Sequence, residues 1–147
     1  MTLNQSKRLF ENGLKNGFSV SFKLIKTIVP FYIAVDLINN TPFTSYIGKT
    51  LSPVMSIFGL SGKMSIALIS GYTVNLYAAI AALIPLSPNW KEVTIVGLMT
   101  GISHNLIVEG AILHKTGANA FLLISLRIIV SLIAGISLNL LFKAVYG

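Results

Sequence analysis

Residues 64–86 read MSIALISGYTVNLYAAIAALIPL, twenty-three positions without one charged side chain. A helix crosses the hydrocarbon core of a bilayer with about 20 predominantly apolar residues, so this run alone is long enough to span. The composition around it agrees. The 147-residue chain is 54% hydrophobic and only 10% charged, against about 25% charged in soluble domains, and its mean hydropathy is +0.79. Lipid leaves backbone groups no partner outside the protein, so only helices or closed barrels cross it, and the apolar runs here are continuous rather than alternating. These features predict an all-α integral membrane protein.

Toward the C-terminus two further runs qualify. Val93–Leu113 reads VTIVGLMTGISHNLIVEGAIL, and Ala120–Phe142 reads AFLLISLRIIVSLIAGISLNLLF with Arg127 as its one charge. The loops PLSPNWKE and HKTGAN separate the three, each with helix-stopping Pro or Gly and a capping residue. Toward the N-terminus, Phe18–Ile38 makes a fourth span, with Lys23 and Lys26 in its first turns able to snorkel to the headgroups, Pro30 interrupting it and Asp36 near its far end. The intervening TPFTSYIGKTLSPVMSIFGLSG has a core, Leu51–Leu60, too short for a secure crossing, and suits an interfacial or re-entrant helix. The expectation is four to five transmembrane helices in one membrane domain, residues 18–147. Residues 1–17 precede it as an amphipathic lead-in, with Leu3, Phe10, Leu14 and the adjoining Phe18 available to the interface.

The net charge of +7 comes mostly from Lys7, Arg8, Lys15, Lys23 and Lys26. That cluster reads as an orientation signal meeting anionic lipid, which places the N-terminus in the cytoplasm. It carries no nucleic-acid-binding pattern. If residues 43–60 do not cross, Lys91 and Lys143 fall on the cytoplasmic side with Lys63 and Lys115 opposite; if they cross, the assignments reverse. With no cysteine there are no disulfides and no thiolate metal ligands. No metal site and no cofactor is expected.

Polar residues inside the spans carry the functional reading. Gly97, Gly101, Asn105 and Glu109 recur every four residues, one face of a helix, and GLMTG is a GxxxG that lets helices approach closely. Arg127, Ser131, Gly135 and Asn139 repeat that spacing, and so do Gly71, Asn75 and Ala79. Three small or polar stripes should face one another. A carboxylate at the bilayer centre costs at least about 2.5 kcal/mol on insertion scales and is usually paired, and Arg127 is the partner expected for Glu109. His104 lies about 140° around an ideal helix from Glu109. The two can share a cavity where the helix is broken or the cavity is wide, and Gly101 and Ser103 offer a place for the break.

A bland reading stands beside this one. Asn75, Ser131, Gly135 and Asn139 are residue types that pack helices with no ligand, and a His104 at a helix turn can simply bond a carbonyl. GLSG at residues 59–62 matches the GxSG of intramembrane serine proteases, with His104 as the base, a remote alternative. GLSGK does not satisfy the phosphate-loop pattern. Structurally, Gly59 and Gly62 mark a sharp turn into the uncharged run.

LSPVMSIFGLSG, then ISGYTVNLYAAI, then GISHNLIVEGAILHKTG together resemble the nucleoside-recognition, or Gate-domain, membrane proteins over roughly residues 50–142. The spacing of His104 and Glu109, followed by Lys115 and Gly117, is the most specific part. The same domain type is similar to the membrane gates of ferrous-iron and concentrative nucleoside transporters. The resemblance implies a pathway lined by broken helices, with Gly59 and Gly62 at the turn, Gly71 and Asn75 in one gate helix, and His104, Asn105 and Glu109 in the next. It also implies the prokaryotic inner membrane. The absence of thiols departs from metal-transport gates and argues against iron. The expected function is a transporter or channel subunit rather than an enzyme, moving a small polar or ionic solute. His104, Asn105, Glu109, Asn75 and Arg127 are the expected solute- or ion-binding residues. A single copy is half of an enclosed gate, which predicts a homo-oligomer or a second Gate-domain partner meeting through the GLMTG and Gly135 faces. A non-transporting membrane scaffold is the alternative.

Overall fold

The computed structural model describes residues 3–146. The side chains of Leu3, Asn4 and Ser6 lie outside the description, and with them the interfacial role expected of Leu3. The described residues form seven α-helices and one 3-10 turn: α1 (Leu3–Asn39), α2 (Pro42–Ile57), the turn Gly62–Met64, α3 (Ser65–Thr73), α4 (Leu76–Leu86), α5 (Trp90–Ile102), α6 (Leu106–Lys115) and α7 (Ala120–Tyr146). The all-α class is as the composition requires.

Helix α1 runs unbroken through Pro30 and through the boundary at residues 17 and 18. At 1.5 Å per residue its 37 residues reach about 55 Å, well beyond a hydrocarbon core of about 30 Å. Every residue from Lys7 to Lys23 is exposed, including Phe10, Leu14 and Phe18. The helix ends where Asn40 and Thr41 fold their side chains back onto the carbonyls of Asp36 and Ile38, and Pro42 opens α2.

A left-handed glycine stops α2. Gly59 has φ +70°, its N–H donates to Ser56 O, and the Leu60 N–H donates to Met55 O. That pairing satisfies the last carbonyls of the helix. At Gly62 the chain passes so close to the Gly48 carbonyl that a Cβ there would strike backbone. The expected sharp turn at Gly59 and Gly62 is present, and α2 stands at 92° to the segment that follows it.

The uncharged run at residues 64–86 is not one spanning helix. It breaks at Val74 and Asn75: Asn75 is extended, φ −175°, and its side chain caps α4 by accepting the Ala78 N–H at 2.9 Å. Asn39 shows where the two halves go. It donates to Pro85 O, at the end of α4, at 2.8 Å, and it shares a cleft with Ser61, Gly62 and Lys63 at the start of α3. Both outer ends therefore lie together, and α3–α4 is a re-entrant hairpin. Its arms of 9 and 11 residues reach about 14 and 17 Å, half the depth of the core. Gly71 and Ala79 do not continue one stripe with Asn75. They face each other across the hairpin, and Asn75 sits at its tip.

Val93–Leu113 is also interrupted. Helix α5 begins in a capping box, Asn89 Oδ1 accepting the Glu92 N–H and Glu92 accepting the Asn89 N–H, each at 3.0 Å, while Glu92 also takes the Ser61 N–H at 2.8 Å. It ends at Ile102. Ser103 and the left-handed Asn105, φ +60°, shift the register before α6. Together α5 and α6 still make one path long and apolar enough to cross. Helix α6 closes on Gly117, φ +78°, in the same manner as α2, with Ala118 N–H on Leu113 O. Helix α7 returns antiparallel to α5, its far end fixed by edge-to-face contacts of Trp90 with Phe142 and Tyr146.

The four to five spans expected thus resolve, among the described residues, into three helices fit to cross, or four if the bent α2–α3 segment is counted as one. The core sits where the hairpin meets α5, around Met64, Ala67, Leu68, Ala82, Leu86, Ile95, Val96 and Met99. With this path Lys63, Lys91 and Lys143 share one end of the domain and Lys115 lies at the other with the N-terminal basic cluster. Neither of the two lysine arrangements considered from the sequence survives the hairpin.

Candidate functional site

The two breaks meet. The Asn105 N–H, in the interruption between α5 and α6, donates to Gly71 O at 3.1 Å, in the last turn of α3 just before the hairpin tip. A side chain at Gly71 would collide with Thr100 of α5 and Ala79 of α4, so glycine is what permits the approach. Helices α3 and α5 run side by side from one end of the domain, and their C-termini converge where Asn105 meets Gly71.

Converging C-termini expose carbonyls that lipid cannot satisfy. Helix α7 supplies the donors. Ser131 Oγ donates to Met99 O at 2.8 Å and lies 2.5 Å from Tyr72 Oη, tying α3, α5 and α7 at one point. Arg127 Nε donates to Ile102 O at 2.9 Å while its guanidinium forms an ion pair with Glu109. His104 Nδ1 sits 3.2 Å from Gly101 O. Further along α7, Asn139 Nδ2 donates to Ile57 O at 2.9 Å, and Gly135 lies against Met99 and Phe58. The stripe Arg127, Ser131, Gly135, Asn139 faces inward throughout, with Ser131, Gly135 and Asn139 buried.

Several sequence expectations change here. The stripe Gly97, Gly101, Asn105, Glu109 is split, because the left-handed Asn105 turns α6 to a new face. Gly97 and Gly101 are exposed, with nothing within 4 Å of where a side chain would begin, so they pack nothing within this chain. Gly135 is used up inside and offers no face to a partner. Glu109 and Arg127 do pair as expected, each about a third exposed, at the head of an apolar groove of about 290 Å³ between α6 and α7. Ser61 and His104 lie at opposite ends of α3, so no serine–histidine dyad forms.

Ser103 stands at the helix break for which Gly101 and Ser103 offered the place, and it does more than break the helix. Ser103 is fully buried, and its hydroxyl has no hydrogen-bond partner among the described residues. Two residues on, the Asn105 side chain makes no cap, and at the hairpin tip Asn75 commits its oxygen but not its amide nitrogen. Tyr72 was passed over, although a hydroxyl on an aromatic ring inside an uncharged run is a visible signal. Among the described residues no cluster of His, Asp or Glu could hold a metal ion.

No solved structure matches this chain. The uncharacterized membrane protein YvoD of Bacillus subtilis (strain 168) is 36% identical over 136 residues, covering 92% of this chain and 44% of the relative. This chain therefore spans less than half the length of the curated relative it matches. The model of the Gate family, described as nucleoside recognition, matches residues 21–137, from within α1 to the middle of α7, and so takes in both breaks and the strap that ties them. The chain is a membrane protein that belongs to the Gate (nucleoside recognition) family.

Proposed function

We propose that this chain is a transport subunit, half of a gate, that moves a small polar or ionic solute across the prokaryotic inner membrane with its N-terminus in the cytoplasm. One observation carries the reading: two helix breaks are joined by the Asn105–Gly71 bond, beside a buried Ser103 hydroxyl that has no partner among the described residues. Irregular backbone at membrane depth is tolerated where it lines a cavity or a solute path. Ser103, Asn105, Asn75 and the free Nε2 of His104 supply hydrogen bonds there, Glu109 supplies a protonatable charge, and Arg127 holds that charge against α7.

The gate is completed by a second copy or by another Gate-domain chain. Two observations support this: Gly97 and Gly101 leave a smooth face on α5 with nothing on it, and the chain matches less than half of YvoD. The mutual satisfaction of Glu109 and Arg127 favours a second reading, a scaffold in which the pair only fastens α6 to α7.

A thermal-stability screen in detergent separates the two. Wild type, Glu109→Gln and Ser103→Ala are compared with nucleosides, divalent cations, monovalent cations and small organic ions. A ligand that binds only the folded state raises the midpoint by mass action. A shift in wild type that either variant loses supports the transport site. No shift from any compound, with Glu109→Gln itself much less stable, supports the scaffold.

A further inference from the structure

A second polar feature lies at the root of the hairpin, one full length of α3 away from the breaks. Between the end of α1, the face of α2 and the Gly62–Met64 turn is an open cleft of about 640 Å³, within the usual range for small-ligand sites. Lys49 and Lys63 line it, with the hydroxyls of Ser45, Ser52 and Ser61. The side chains of Lys49, Lys63, Ser45 and Ser52 make no hydrogen bond or salt bridge among the described residues, while the Ser61 hydroxyl donates to the Glu92 carboxylate. The remaining polar walls are committed elsewhere: Asn39 donates to Pro85 O and Thr44 donates to Ile38 O. No carboxylate lines the cleft. Glu92, the acid that acts on Lys63, is turned to the Ser61 hydroxyl and to the Ser61 and Asn89 N–H groups.

We infer that this cleft binds a phosphate group. Two ammonium groups with uncommitted hydroxyl donors between them suit a tetrahedral oxyanion, which accepts hydrogen bonds on several oxygens at once. The location suits the same ligand. Helix α2 lies at 92° to α3, which lays it along the membrane surface when α3 stands along the normal. Its exposed Phe43, Tyr46, Val54 and Ile57 are then available to the acyl region, with the cleft at headgroup depth. The phosphate can belong to an anionic phospholipid or to a soluble ion, and the chemistry of recognition is shared. The proposal is independent of the transport reading, because none of the residues at the breaks lines the cleft.

The test compares wild type, Lys49→Gln/Lys63→Gln, and a control, Lys7→Gln/Arg8→Gln/Lys15→Gln, which removes three basic side chains, one more than the test variant, near the N-terminus. Midpoints of thermal unfolding are read in detergent with and without inorganic phosphate, sulfate-free and at constant ionic strength. They are then read in nanodiscs of phosphatidylcholine with and without phosphatidylglycerol. Binding at the cleft raises the wild-type and control midpoints and leaves the Lys49/Lys63 variant with less than half of the rise. A rise with inorganic phosphate identifies a soluble ligand; a rise with phosphatidylglycerol alone identifies a lipid headgroup. Equal rises in all three proteins, loss of the rise in the Lys7/Arg8/Lys15 variant alone, or no rise in wild type overturns the proposal. Circular dichroism of the Lys49/Lys63 variant checks its fold, and its exposed or half-exposed lysines contribute nothing to the core.

Discussion

Replacing Arg127 by Met removes two contacts at once, the ion pair to Glu109 and the bond to Ile102 O. Stranding one member of a buried pair costs about 3–5 kcal/mol. Here each partner is about a third exposed, which lowers the figure, and the unpaired carboxylate beside Ile112, Leu113 and Leu126 sets a floor near the 2.5 kcal/mol of insertion scales. The net cost of Arg127→Met is about 3 kcal/mol. Glu109→Leu leaves Arg127 its bond to Ile102 and a long stem with which to reach polar surroundings, so it costs about 1.5 kcal/mol. The double variant strands no charge. Only the orphaned Ile102 carbonyl remains, at about 1–2 kcal/mol, so it is more stable than Arg127→Met alone. The coupling is then roughly 3 kcal/mol, at the upper end for residues in contact. Reversible unfolding in mixed micelles measures all four proteins. A coupling below about 0.5 kcal/mol would falsify the pair, whatever the single variants do.

Single cysteines at Lys63 and Ser87, introduced into a chain that has none, should react with an impermeant thiol reagent from the same side of the membrane. Labelling from opposite sides restores the single spanning helix and removes the hairpin. Gly71→Leu pushes into Thr100 and Ala79 and should cost about 1–3 kcal/mol of stability, while Gly97→Leu, with open space around it, should leave the stability of the monomer unchanged and weaken self-association on a sizing column. Asn89→Ala opens the capping box at the start of α5 and should lower stability by about 1 kcal/mol, read in the same micelle titration.

The helix class and the inward stripe of α7 were legible because each depends on local sequence, and the Glu109–Arg127 pair because the two neighbouring apolar runs hold one charge each, of opposite sign. Arg127, Ser131, Gly135 and Asn139 sit on an uninterrupted helix, where four-residue spacing does mean one face. The same spacing misled at Gly71, Asn75 and Ala79. Hydropathy cannot distinguish a run that crosses from one that turns back, since both are buried and both lack charge. What turns the chain is Asn75, an N-cap residue in the middle of an apolar run, and its capping preference was the available signal. Asn105 was hidden for a different reason. Its left-handed backbone follows from Gly71 lying opposite it across a tertiary contact that no local pattern encodes. The long α1 escaped division because composition changes at residue 17 while helix propensity does not.

The breaks themselves are the argument for a transport role over a scaffold. A continuous helix satisfies its own backbone, and a protein that only holds others in place gains nothing from leaving that state in lipid. This chain leaves it twice, at Asn75 and at Ser103–Asn105. Much of α7 is then occupied in repair: Ser131 to Met99 and Arg127 to Ile102, with His104 and the Asn105 N–H completing the set. The repair holds the hairpin tip against α5 and leaves one buried side-chain atom, the Ser103 hydroxyl, without a partner among the described residues. A buried polar atom without a partner costs about 1–3 kcal/mol. Replacing Ser103 by Ala would recover that energy if the hydroxyl had no ligand to meet. The variant should therefore be more stable than wild type in the absence of solute and should lose that advantage when the solute is present.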